Sequence, residues 1–173
     1  MRETIEPSIV VSGPAWIGEG TRSLDSSFRE LIEQSVSEVH IVMYTATSSS
    51  LPMLDMLEPK LRVGVNATIV LNRISDLKQE HVVSRLNDFA ERFPRSKFYS
   101  FEPRYKTRNL HAKAIVSDRS DAIVGSANLS LRGLLENYEL GIRVKGTIAR
   151  GVSTLIDRLS RDSECVPLPV DFH

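Results

Sequence analysis

HAKAIVSDRSDAIVGSAN, residues 111 to 128, holds two short apolar runs, AIVS and AIVG, on either side of the polar segment DRSD. Apolar runs of that length around a turn-forming segment predict an antiparallel β-hairpin. Alternate residues of a strand share a face, so His111 and Lys113 point one way while Ala112, Ala114 and Val116 point the other. With residues 118 to 121 as the loop, Ser117 lies opposite Ala122, Lys113 opposite Ser126 and His111 opposite Asn128, which gathers four polar side chains on one face. The gathering is conditional on register: a loop one residue shorter turns Asn128 to the other side.

Upstream, strand-like and helix-like segments alternate. Leu24, Phe28, Leu31, Ile32 and Val36 recur at helical spacing behind Thr21 or Ser23 as a cap. EVHIVMYTA (38–46) reads as a strand, Leu54, Leu57 and Leu61 as a helix face, and ATIVL (67–71) as a strand. Leu77 to Phe93 forms an amphipathic helix and KFYSF (97–101) a third strand. After the hairpin come a strand in YELGIRV (138–144) and a closing helix with Val152, Leu155, Ile156 and Leu159 on its inner face. PLPVDFH (167–173) is too proline-rich for a helix and reads as a loose tail or a strap. The fold class is α/β, with a mixed, mainly parallel sheet sandwiched between helices.

The 173 residues fit one domain, 1–173, and 41 % hydrophobic with 25 % charged residues is a globular composition. Twenty-two basic residues balance twenty-two acidic ones, so affinity for a polyanion must come from a local cluster. The opening MRETIEPSIV has no secretory pattern and no apolar run is long enough for a membrane span, from which a cytoplasmic location and no membrane partner are expected. Cys165 is the single cysteine, which rules out an internal disulfide and a multi-thiolate metal site.

Lysine and asparagine supply hydrogen-bond donors, serine adds another, and imidazole can attack phosphorus or carry a proton. Such a set suits the oxygens of a phosphate, with a solvated polar strand face as the competing reading. The spacing His111-x-Lys113, Asp118 and then Gly125-Ser126-Ala127-Asn128, followed by Asn137-Tyr138-Glu139, resembles the signature of the phospholipase D superfamily. The resemblance implies that family's fold and metal-free, cofactor-free phosphodiester chemistry through a phosphohistidine. His111 would be the nucleophile, Lys113 and Asn128 the phosphate holders, Ser126 a supporting donor and Glu139 the acceptor orienting His111. Asp118 belongs to the signature but sits at the turn, where an architectural part is expected.

A leaving oxygen needs an acid, and histidine is the best matched near neutral pH. His40, His81 and His173 read as ordinary core, surface and terminal residues. Single-signature members of the superfamily build their site from two chains, so a homodimer is expected, joined through the active-site face with two His111 side chains across a two-fold axis. In PRYKTRN (103–109), Arg104, Tyr105, Lys106 and Arg108 immediately precede His111, and Arg73 follows the second strand. Basic residues around an aromatic suit a nucleic-acid backbone and an unpaired base.

The leading expectation is an endonuclease acting on DNA or RNA. A phospholipase or phosphatidyl transferase is the alternative; it would need an apolar patch by the site, for which Met43, Leu51, Pro52 and Met53 are the hints. A binding or scaffolding subunit of a restriction, phage-defence or repair complex is another. A metal nuclease using Asp118, Asp121 and Glu139 is disfavoured because the turn separates the aspartates from Glu139.

Overall fold

The computed structural model describes residues 6–74, 80–105, 107–128 and 130–169. In chain order the elements are β1 (Ser8–Val11), β2 (Arg22–Ser23), α1 (Leu24–Gln34), β3 (Glu38–Met43), α2 (Leu51–Arg62), β4 (Asn66–Asn72), α3 (Glu80–Arg92) and β5 (Lys97–Phe101). They continue with β6 (Ala114–Ser117), β7 (Asp121–Gly125), a π-helical turn at Arg132–Glu136, β8 (Leu140–Lys145), α4 (Thr147–Leu159) and β9 (Cys165–Pro167). Among the described residues nine strands join one sheet in the order β2-β1-β8-β7-β6-β3-β4-β5-β9.

The α/β class and the mixed sheet agree with the sequence reading, but the balance of pairings does not. Three neighbouring pairs are parallel (β1–β2, β3–β4, β4–β5) and five antiparallel, because the hairpin, β8 and β9 all enter against their neighbours. Only the segment β3 to β5, with its helical crossovers, follows the parallel pattern.

Helices cover both faces. Leu24, Phe28, Leu31 and Ile32 of α1, with Leu54 and Leu57 of α2 and Leu86 and Phe89 of α3, pack on Ile41, Ile69, Ile115 and Ile123. On the other face Ala149 and Ile156 of α4 meet Val42, Val70, Val116 and Ala122. Burial of each large side chain contributes about 1.5–3 kcal/mol, and the strict alternation along β3 and β6 divides these residues between the two layers.

Several local expectations are corrected. Helix α1 ends at Gln34, so Val36 lies beyond it and is 81 % exposed. Ser23 takes the N-cap position without a side-chain cap bond, and Thr21 instead serves its own loop, accepting from the Gly18 N–H and donating to the Trp16 carbonyl, each at 3.0 Å. Leu155 is 63 % exposed, because Ala149, Ser153 and Ile156 form the buried line of α4. The C-terminal stretch is a strand: β9 pairs with β5, and the Leu168 N–H donates to the Phe98 carbonyl at 2.9 Å. The predicted start of α3 at Leu77, and residues 170–173 of the tail, lie outside the described residues.

The hairpin register also differs. Ser117 pairs with Asp121 and Ala114 with Val124, so three residues, not four, connect the strands. Asp118 and Arg119 adopt left-handed φ of 49° and 54°, and the Ser120 N–H closes the turn on the Ser117 carbonyl at 3.0 Å. A left-handed conformation is costly outside glycine, although aspartate tolerates it better than most. Here the Asp118 side chain offsets the strain. Its carboxylate accepts the N–H groups of Val36 (2.9 Å), Ser37 (2.8 Å) and Glu38 (3.0 Å) and the Ser37 hydroxyl (2.7 Å). Asp118 therefore ties the turn to the α1–β3 connection, the architectural part expected of it.

Candidate active site

With the three-residue turn, Lys113 stands opposite Gly125, whose N–H donates to the Lys113 carbonyl at 3.1 Å, rather than opposite Ser126; nor does His111 fall opposite Asn128. Gly125 is required by close approach: a Cβ there would lie 2.6 Å from the Leu140 carbonyl oxygen. Strand β7 ends at this residue, and Ser126 to Asn128 leave the ladder.

Lys113 and His111 are nevertheless in direct contact. The lysine ammonium, 7 % exposed as a residue, lies 3.1 Å from Nδ1 and 3.4 Å from Nε2 of His111 and donates to the His111 carbonyl at 2.9 Å. An ammonium has only donors, so the ring nitrogen it meets is the acceptor. Tyr44, just past the end of β3, lies beneath both: its ring centroid is 4.7 Å from that of His111 and 5.3 Å from the Lys113 nitrogen. Burial lowers the Lys113 pKa from its ordinary value, and the negative charge of Glu139 acts in the opposite sense. The segment leading into this pair is held by Asn72, whose side-chain oxygen accepts the Leu110 N–H at 2.9 Å.

Glu139 does not touch His111 as the resemblance implied. One of its oxygens accepts the Ser126 hydroxyl and the other the Asn137 amide at 3.4 Å, while the Ser126 oxygen accepts the Leu140 N–H at 3.2 Å. Glu139 therefore links the GSAN segment to Asn137-Tyr138-Glu139 and brings its charge to Lys113. Asn128 packs by its backbone against Gly133, where a Cβ would come within 2.5 Å of the Asn128 carbonyl; its side-chain Oδ1 is buried without a hydrogen-bond partner. Gly133 belongs to the π-helical turn, a geometry frequent at functional sites.

The basic rim is only partly free. Arg73 reaches the 104–109 loop but spends its guanidinium there, donating to the Tyr105 and Arg108 carbonyls at 3.3 and 3.2 Å and to Asn109 at 3.3 Å. In this structure it braces the loop. Arg108 pairs with Glu164 at 3.0 Å and lies 5.6 Å from the ring centre of Tyr105, which is largely exposed. The Arg104 side chain is exposed, and the Arg104 backbone N–H donates to the Glu164 carboxylate at 3.0 Å. Lys106 lies outside the described residues.

Asp121 pairs with Arg143 at 2.8 Å at the turn end of β7, while Glu139 adjoins Leu140 at the far end of β8, roughly 20 Å of strand away. Those two carboxylates and Asp118 are not gathered into a cluster.

A cleft of about 310 Å³ opens beside His111 and Lys113, walled by Leu110, Val124, Val152, Leu155 and Leu159. Of the apolar residues suggested by sequence, Met43 and Met53 are instead buried in the core. Tyr44, Asn72 and the cleft had no motif to announce them. The available signal was position, since ligands gather at strand C-terminal ends in such sheets.

Residues 28–162 match the family described as cardiolipin synthase, PLD-like domain. The chain belongs to the phospholipase D superfamily. As a PLD-like phosphodiesterase-family chain it shares its fold with Nuc from Salmonella typhimurium (TM-score 0.71, 15 % identity, 95 % of this chain and 100 % of that one). NucT from Helicobacter pylori is similar to the same degree (TM-score 0.72, 15 % identity, 94 % and 100 %). Phosphatidylserine synthase from Haemophilus influenzae Rd KW20 matches over 94 % of this chain and 40 % of its own (TM-score 0.67, 14 % identity). By sequence, the PLD-like chain is 27 % identical over 144 residues to the DISARM protein DrmC of Bacillus paralicheniformis, spanning 79 % of this chain and 56 % of that protein's length. Among the described residues no helix is long and apolar enough to cross a membrane.

Proposed function

We propose that this PLD-like chain is a metal-independent endonuclease that cleaves DNA or RNA phosphodiester bonds through a phosphohistidine on His111. The observation that carries the reading is the Lys113–His111 contact: a buried ammonium lies against the imidazole, 3.1 Å from Nδ1 and 3.4 Å from Nε2. A bound phosphate would draw Lys113 onto its oxygens. A ring nitrogen of His111 then attacks phosphorus, the bond to the leaving oxygen breaks as that oxygen takes a proton, and water hydrolyses the phosphorus–nitrogen bond. Ser126 and Asn128 would donate to the charge that builds in the five-coordinate state.

The proton needs a second donor. His40 is 1 % exposed and engaged with Asp157 at 3.1 Å on the α4 side of the sheet, and His81 lies on the outer surface of α3. His111 of a second copy supplies the acid in a homodimer joined through the active-site face, each ring taking one of the two duties. The likeness to Nuc and NucT in fold and to DrmC in sequence supports nucleic acid as the substrate and a defence complex as the setting.

A lipid phosphodiester is the second reading, favoured by the apolar cleft beside His111. One experiment separates the two. Purified chain is incubated in EDTA with single- and double-stranded DNA, with RNA and with phospholipid vesicles, using His111→Ala as control. Cleavage of nucleic acid that survives EDTA and is lost in the variant supports the nuclease. Turnover of vesicle lipid alone overturns it, as does nucleic-acid cleavage that persists in the variant.

A further inference from the structure

Beyond the basic rim, the structure contains a second aromatic feature by the site. Trp16 and Tyr138 are 43 % and 54 % exposed, and their rings meet at 5.2 Å between centroids and 81° between planes. An edge-to-face contact uses one face of one ring and only the edge of the other, so an aromatic face remains open. Tyr138 directly precedes Glu139, the residue bonded to Ser126 and acting on Lys113.

The pair is rigidly placed. The Ser12 N–H donates to the Glu139 carbonyl at 2.9 Å, and the Ser12 hydroxyl donates to the Asn137 carbonyl at 2.8 Å. Gly13, at φ 97°, lets the chain pass under Tyr138, where a Cβ would lie 2.6 Å from the ring. The Trp16 N–H bonds back to the Gly13 carbonyl at 3.1 Å, and Thr21 holds the Trp16 carbonyl. Residues 12–21 thus present an indole from a fixed turn fastened to the segment 137–139 that leads into β8.

We infer that Trp16 and Tyr138 form a stacking platform for an unpaired base flanking the scissile phosphate, so that the preferred substrate is a single strand. The inference rests on the nuclease reading and names its substrate class. Bases held in a duplex hide their faces in the stack, whereas a single strand offers one to a pre-placed aromatic. A bilayer would reward a contiguous apolar tip, but here Trp16 and Ile17 are followed at once by Gly-Glu-Gly. On the other flank Tyr105 with Arg108 offers a second aromatic over which the strand could continue.

Trp16 is the single tryptophan of the chain, so its fluorescence reports on this spot alone. The His111→Ala chain is titrated with octathymidylate, with a blunt DNA duplex, with inorganic phosphate and with phosphatidylglycerol–phosphatidylcholine vesicles. Anisotropy of labelled octathymidylate gives binding independently. Saturable quenching by octathymidylate, absent with duplex and phosphate, is expected. Adding Trp16→Ala should weaken octathymidylate binding about tenfold, with Trp16→Phe keeping most of the affinity.

Binding by anisotropy with unmoved emission, and undiminished in Trp16→Ala, removes the platform and leaves the nuclease reading intact. No binding to any nucleic acid removes both. A blue shift produced by vesicles, or by raising protein concentration alone, overturns the platform in favour of a lipid surface or a second copy.

Discussion

Lys113 holds His111 by ring and backbone: its ammonium lies 3.1 Å from Nδ1 and 3.4 Å from Nε2 and donates to the backbone carbonyl at 2.9 Å. One ammonium therefore fixes both the ring and the chain that carries it. Replacing Lys113 with alanine is expected to cost at least about 100-fold in cleavage rate, the usual effect of losing one donor to a developing oxyanion. His111→Ala should abolish turnover. Circular dichroism on both variants separates loss of the chemical group from loss of the fold.

The pH profile should be bell-shaped. The acid limb reports loss of the attacking base, and the alkaline limb loss of the acid that serves the leaving oxygen. Lys113 sharpens the alkaline side: its pKa is lowered by burial, so its charge is lost below the usual lysine range. Cleavage rates across pH 5 to 10 would show this, and a flat profile would sink the paired-histidine mechanism.

A shared site makes subunit mixing informative. With equal amounts of wild type and His111→Ala exchanged at random, half of the wild-type chains sit in mixed dimers with one histidine. Activity per wild-type chain should then fall to about half, against no fall for independent sites. Sedimentation equilibrium on the same samples checks that the chains associate.

Asp118 provides a test of stability that leaves the chemistry aside. Burial would raise its pKa, but the Glu38 N–H, the Ser37 hydroxyl and the Val36 and Ser37 N–H groups outweigh that and hold the carboxyl below its usual range. A carboxylate depressed in the folded state stabilises above its unfolded pKa, and that contribution is lost as pH falls through the folded value. Asp118→Ala should cost about 2 kcal/mol at neutral pH, by loss of charged hydrogen bonds, and should flatten the acid side of the stability curve in urea titrations.

The glycine of the GSAN segment can be tested by a single methyl. Gly125→Ala places a Cβ 2.6 Å from the Leu140 carbonyl and 2.7 Å from the Gly141 Cα, both backbone atoms that cannot swing aside. A loss of about 1–3 kcal/mol in thermal or urea unfolding is expected, the range for overpacking a filled site.

Much of the molecule could be read locally. The periodicity of Leu24, Phe28, Leu31 and Ile32 marked α1, and the apolar runs at 38–43, 67–71 and 97–101 marked the parallel core, because side-chain period follows directly from backbone geometry. The positions of His111, Lys113 and Asn128 were likewise evident from spacing and residue type. The parallel-to-antiparallel balance was misjudged because β9 was hidden in a proline-rich tail and β1 pairs with β8, more than a hundred residues away.

Sequence alone determined the helices, strands β3 to β8 and the chemical inventory of the site, since these depend on neighbours along the chain. Tertiary structure decided the hairpin register, because two left-handed residues at 118 and 119 are tolerated only while Asp118 is bonded to residues 36–38. It also assigned Glu139 to Ser126 and Arg73 to its own loop, and it brought Trp16 onto Tyr138. Each of those outcomes is a competition among distant partners for one donor, one acceptor or one ring face, and only the folded chain brings the competitors together.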